Sequence, residues 1–181
     1  MYRSLQPTLA IVVFAALAGS FATVGAAQTT FTVDTTADTP DVNPGDGVAA
    51  DSNGNVSLRA AIEEANASTG ADTIVLEELV YQVSTIGSVW YGPSAFEITS
   101  EITIEGNGAR IQRTGNLMRA FYVAPGTSAT PHGAASGTHL AKGTLTLEQL
   151  DINGFYARGG DGGYGRHGGG GGLGAGGAIY N

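Results

Sequence analysis

The chain has no cysteine. Disulfides, thiolate-held metals and thiol nucleophiles are therefore excluded, and the fold must rest on packing and backbone pairing alone. Basic residues are scarce as well. Eight Lys and Arg stand against sixteen Asp and Glu, a formal net charge of −8. Such a surface repels phosphate backbones, so nucleic acid is not an expected partner. Long apolar stretches are limited to one, "LAIVVFAALAGSFATV" from Leu9 to Val24, preceded by Arg3 and followed by the small residues "GAAQ". A spanning helix needs about 20 apolar residues, and this run is shorter. The layout is that of a secretory signal peptide cut near Ala27, so residues 1–27 are read as an export signal. No second apolar stretch follows, and no membrane span is expected after cleavage.

What is present changes character along the chain. In "TFTVDTTADTPDVNPGDGVAADSNGN", Phe31 and Val33 alternate with polar residues and predict a short strand. Pro40, Asn43, Pro44, Gly45, Asp46 and Gly47 then predict turns. "NVSLRAAIEEANASTG" predicts a helix over 57–67, capped by Ser57 and closed by Gly70. Leu58, Ala61, Ile62 and Ala65 share one of its faces, and such a stripe must lie against something.

Beyond Gly70 the helical spacing disappears. Short alternating runs replace it: "DTIVL", "VYQVS", "AFEITS", "EITIEG", "ARIQR", "AFYV", "TLTLEQLDING" and "AIYN". These predict an all-β architecture, and three features favour a right-handed parallel β-helix, a solenoid. In "ITIEGNGARI", Ile102, Ile104 and Ile111 flank a Gly-Asn-Gly corner too short for a helix and longer than a two-residue hairpin turn. In "LTLEQLDI", Leu145, Leu147, Leu150 and Ile152 all face inward only if the chain bends near Glu148-Gln149, because side chains alternate along one strand. Segments 125–143 and 157–177 are long and low in complexity, and a solenoid tolerates such insertions. Thirteen of the 29 glycines lie between Gly159 and Gly177 and predict a flexible detour. The expected organisation is a signal at 1–27, an N-terminal cap region at 28–71 and a truncated β-helix at 72–181 with its glycine-rich insert at 157–177. The helix caps the first coil, and "AIYN" begins a coil that this chain does not finish.

Residues 31–76 resemble the CSLREA-type N-terminal domain of bacterial surface β-helix proteins. The family core Cys-Ser-Leu-Arg-Glu-Ala-Ile is matched here by Val56-Ser57-Leu58-Arg59-Ala60-Ala61-Ile62, and the following Glu-Ala-Asn by Glu64-Ala65-Asn66. The ending "GAGGAIYN" resembles the Gly-Gly-Ala-Ile repeat of polymorphic outer membrane proteins. The family carries two cysteines where this chain has Val56 and Ala49, as removal of one disulfide would leave. The resemblance implies an N-terminal portion of a longer protein, secreted or at the bacterial outer membrane or cell surface. It also implies a structural cap motif of Ser57, Leu58, Arg59, Ile62, Glu64, Ala65 and Asn66. For Arg59 a structural role is expected, its guanidinium satisfying carbonyls at the cap.

Candidate chemistry is sparse. Asp34, Asp38, Asp41, Asp46 and Asp51 crowd the segment before the helix. Asp51, Asn53 and Asn55 alternate as in a calcium loop, but Val56 stands where Gly is needed and Ile62 where a bidentate Glu is needed. The acids are read as turn formers. His132, His139 and His167 lack the converging ligands of a metal site, and Asp161 alone does not make a calcium repeat. No metal, cofactor or catalytic residue is predicted. Glu101, Thr103, Glu105, Glu148 and Asp151 are expected on an outer face, where stacked coils could gather carboxylates. The expected function is a non-catalytic, adhesin-like surface module whose partners are host or matrix glycans or proteins. The alternative is a carbohydrate-active β-helix enzyme, of the polysaccharide lyase or glycoside hydrolase type, working with a carboxylate pair.

Overall fold

A computed structural model describes residues 27–89, 92–126, 141–157 and 177–180. Each of the short runs forms a strand; most bury one face of an extended chain, while Ser94–Ile98 and Arg119–Val123 are buried along nearly their whole length. Their order is β1 (Thr30–Thr32), α1 (Leu58–Ala67), β2 (Ala71–Val75), β3 (Val80–Val83), β4 (Ser94–Ile98), β5 (Glu101–Glu105), β6 (Arg110–Arg113), β7 (Arg119–Val123), β8 (Thr144–Glu148), β9 (Asp151–Asn153) and β10 (Ile179–Tyr180). The protein is thus all-β with one short helix among the described residues.

All pairings between these strands are parallel; β1 pairs with β2, and from β2 onward each strand meets the one three places on. One sheet has the order β1-β2-β5-β8, a second β3-β6-β9 and a third β10-β7-β4. The chain therefore passes three times through the same three sheets, as β2–β4, β5–β7 and β8–β10. Register stacks like residues in columns. Ile74, Ile104 and Leu147 form one, Tyr81, Ile111 and Ile152 another, and Phe96, Phe121 and Ile179 a third. Ile102, Ile104 and Ile111 are fully buried in the middle passage. Burying such a side chain stabilises by about 1.5–3 kcal/mol, so these columns supply much of the cohesion.

The corners follow from backbone chemistry. Asn107 and Gln149 both adopt φ of 50° where the first sheet hands over to the second. The predicted bend at Glu148-Gln149 is present, and Leu145, Leu147, Leu150 and Ile152 all pack toward the core. Gly106 is required by close approach: a Cβ there would lie 2.6 Å from the Gln149 carbonyl oxygen.

Two expectations need correction. Helix α1 closes at Ser68, whose N–H donates to the Glu64 carbonyl; Gly70 lies two residues further on at φ 127°. The Ser68 backbone bond satisfies the last turn without a glycine. And "AIYN" does not begin a passage. Its β10 pairs with β7 and is the third strand of the passage that β8 and β9 start. The signal at 1–27 lies, apart from Ala27, outside the described residues. So do residues 158–176 of the glycine-rich insert, together with Asp161, His132, His139 and His167.

Candidate functional site

Ser57 is the N-cap of α1, and Leu58, Arg59, Ile62, Glu64, Ala65 and Asn66 lie on it, each with identifiable contacts. The Ser57 hydroxyl accepts from Ala60 N–H at 2.9 Å and donates to the Thr39 carbonyl, so it caps the helix and ties it to the preceding loop. Leu58, Ile62 and Ala65 are buried in the core, and the helix packs against β2, β4 and β5. Glu64 is fully buried, yet its carboxylate accepts from the N–H groups of Gly45 and Gly47. A buried charge survives only with such partners. It fastens the turn around Pro44 to the helix.

Arg59 and Asn66 stand seven residues apart, two helical turns, and so share a face. Among the described residues β4 has a neighbouring strand, β7, on one side only. On its other side the carbonyls of Ala95 and Glu97 accept from Arg59 Nη1 at 2.9 Å and Asn66 Nδ2 at 2.7 Å. These two side chains stand in for a missing strand. Asn66 Oδ1 also accepts from Thr99 N–H, and the Ser100 hydroxyl donates to the Ala65 carbonyl, which holds the two-residue link to β5. Asp38 completes the arrangement at the end of β3. It accepts from Ser84 and Thr85 N–H and pairs with Arg59 Nε at 2.7 Å, while Arg59 Nη2 donates to the Thr85 carbonyl. Burial works against ionisation of Asp38, but the Arg59 hydrogen bond, the two N–H donors and the guanidinium charge hold its carboxyl below the usual range. Strand β1 covers β2. One strand thus covers the outer edge of β2, two side chains bridge the outer edge of β4, and Asp38 holds the chain just beyond β3.

The remaining acids of this segment serve as loop staples. Asp34 accepts from Val56 N–H, Asp41 from Asn43 N–H and Asp46 from Val48 N–H. Asp51, in the calcium-like stretch, accepts from Asn55, Thr39 and Asn53, and these donors lower its pKa. Among the described residues no group of three or more His, Cys, Asp or Glu is placed to hold a metal. Ala49 belongs to the core cluster and Val56 packs on it. On the outer faces, register sets Glu105 beside Glu148 and Arg110 beside Asp151, the latter an exposed ion pair.

Between α1 and β4 lies a cleft of about 310 Å³. Ile62 and Glu63 line it from the helix, Phe96 and Glu97 from the strand, and the Arg59 and Asn66 bridges are part of its lining. The Arg59 guanidinium lies 4.9 Å from the Phe96 ring centroid, and Phe121 packs 5.4 Å from Phe96. Burial pushes Glu63 up, opposed mainly by the Asp41 N–H, and burial pushes Glu97 up, opposed by a hydrogen bond from Ser88.

Sequence reasoning missed Asp38, Glu63 and Glu97. Asp38 meets partners 21 to 47 residues away, and Glu97 reads as the polar member of an alternating strand. Only the fold brings them to α1. No family model matches the chain, and neither a curated protein nor a solved structure matches it.

Proposed function

We propose that this chain is the capped N-terminal portion of a right-handed parallel β-helix, a secreted or cell-surface adhesin-like module without catalytic activity. The observation that carries the reading is the third-strand parallel pairing, closed at its start by Arg59, Asn66 and Asp38. Such a device terminates a stack in one direction and leaves it extendable in the other. The resemblance of residues 56–66 to a surface-protein cap motif agrees with it, as does the apolar segment before Ala27. Bound partners would be matrix or host proteins or glycans, held on the outer faces of the sheets.

Three measurements test this. Expression in a Gram-negative host, with mass spectrometry of the exported fraction, is expected to find a start at Ala27 or Gln28; an intact Met1 there overturns export. Immobilised matrix proteins and glycans are expected to retain the mature chain, and failure on all of them removes the adhesin reading. The alternative, a carbohydrate-active enzyme, is favoured by the side-by-side placement of Glu105 and Glu148. Release of reducing ends or unsaturated uronates from polysaccharide, lost in Glu148→Gln, would establish it in place of the module.

A further inference from the structure

Asp72 is a buried carboxylate with only one of its oxygens engaged. It is 1% exposed and stands in the column continued by Ile102 and Leu145. Its Oδ1 accepts from Thr29 N–H at 2.9 Å, whereas its Oδ2 is buried without a hydrogen-bond partner among the described residues. The ion pairs among those residues are Arg59 with Asp38 and Arg110 with Asp151, so no side-chain cation answers Asp72 either. A buried carboxylate in that condition is costly. The direction it faces is fixed. Oδ1 meets Thr29 N–H, and Oδ2 shares its carbon, so both oxygens address the start of β1. The chain is held there: Thr73 N–H donates to the Thr29 carbonyl at 2.8 Å, and Gln28 Nε2 reaches Thr73 Oγ1 at 3.4 Å. The Gln28 backbone nitrogen precedes the bonded Thr29 nitrogen by one residue, at most about 3.6 Å of chain. Ala27 and Gln28 are both exposed, so the bond between them is accessible.

We propose that Asp72 receives the α-ammonium of Gln28 that is created when the export signal is cut off, so that maturation itself completes the edge at β1. This pairing depends on the export cut proposed above and gives that cut a structural consequence. Before the cut, the Gln28 nitrogen is an amide with one hydrogen and no charge. Afterwards the same nitrogen carries three donors and, below about pH 8, a positive charge. One of those donors on Asp72 Oδ2 makes a charge-assisted bond in a site shielded from water. The Gln28 side chain does not compete for the place. It is engaged on Thr73, which faces the opposite side of β2 from Asp72. A metal ion is a poorer occupant, because among the described residues no group of three or more His, Cys, Asp or Glu is placed to hold one. Strand β1 is therefore fastened to β2 more firmly in the mature chain than in its precursor.

The test uses chains with defined starts, released from a fusion partner by proteolysis, so its outcome is separate from that of export. One chain begins at Gln28, and the other carries Ser-Gly-Ser before Gln28. Each is made with Asp72 and with Asp72→Asn, which keeps an acceptor for Thr29 N–H. The Gln28 start is expected to melt about 3 °C or more above the extended start, and Asp72→Asn to close the gap. A second readout is chemical. A free Gln28 amine attacks its own side-chain carbonyl, expels ammonia and closes to pyroglutamate. An ammonium held by Asp72 lacks the lone pair for that attack. Mass spectrometry is expected to find closure about tenfold slower in the folded chain than in the same chain in urea, the scale of one charged hydrogen bond. Equal melting of the two starts, a gap that survives Asp72→Asn, or closure as fast in the folded chain as in the unfolded one overturns the proposal. If Asp72→Asn does not fold, the two starts and the closure rate decide it.

Discussion

The first and last passages are built from the same three sheets, yet they are finished differently. The first is covered at β2 and β4: Leu58 and Ile62 are buried, β1 pairs with β2, and the carbonyls of Ala95 and Glu97 meet Arg59 and Asn66. In the last, Leu145, Leu147, Leu150, Ile152 and Phe155 are only partly buried, and β8 and β9 have one neighbouring strand each among the described residues. The difference teaches that closing a stack of parallel strands is mainly a polar problem. Apolar area is covered by any helix with a suitable stripe. Edge carbonyls and amides need donors and acceptors at strand spacing, and α1 supplies them from residues two turns apart.

The comparison breaks most severely at Arg59. Arg59→Met leaves Asp38 ionised and mostly buried and frees two carbonyls, and a loss of about 3–5 kcal/mol in denaturant unfolding is expected. Arg59→Lys is expected to recover only part of this, because an ammonium cannot reproduce the fork. A loss below 1 kcal/mol in the Met variant would show that the edge is closed by packing instead.

The next test uses one column. Ile104 and Leu147 are register partners in the middle and last passages, the first fully buried and the second half-buried. Ile104→Ala is expected to cost about 2–5 kcal/mol. Leu147→Ala should cost less than half as much, since less area leaves water on folding. Equal losses would mean that the last passage is covered in solution.

Acid separates the carboxylates of the capped end by sign. The folded pKa of Asp38 lies below its unfolded value of about 3.9, so its contribution is complete above roughly pH 4 and is lost as pH falls through the lowered value. Glu63 and Glu97 are raised. Their protonated forms favour the fold below about pH 4, and that advantage fades as pH rises through the raised values. Asp38→Asn is therefore expected to lower stability at pH 7 and flatten its acid fall, and Glu97→Gln to raise stability slightly at that pH. Unfolding curves across the acid range check both signs. The smallest effect is expected from Arg110→Gln, which removes the exposed pair with Asp151 and should change stability by less than about 1 kcal/mol.

Much of this architecture was legible in the sequence, for local reasons. Period-2 runs placed every strand, the alternation in "LTLEQLDI" demanded the corner at Gln149, and Ser57 with its apolar stripe located α1. That Ser57 caps and that Arg59 satisfies carbonyls was legible; the partners of the cap residues were not. Nothing in "SLRAAIEEAN" says that Arg59 reaches Ala95 or that Asn66 reaches Glu97, because those separations are created by the corners between β2, β3 and β4. The end of α1 at Ala67 was legible but its closing residue was not, because a glycine suggests a left-handed stop, whereas an ordinary extended Ser68 sufficed. The cleft was invisible for a similar reason: Glu63 and Glu97 each look like a solvated acid until α1 lies over β4.

Asp72 gives the stack a means of counting. It occupies the inward column continued by Ile102 and Leu145, is 1% exposed, and accepts from Thr29 N–H at 2.9 Å. If the chain folded with its second passage slipped into the place of the first, Ile102 would face Thr29 and leave that N–H unanswered, while Asp72 would be stranded elsewhere. The passages are otherwise similar enough to be confused. One buried carboxylate thus labels which of them comes first, and so discriminates against out-of-order stacking.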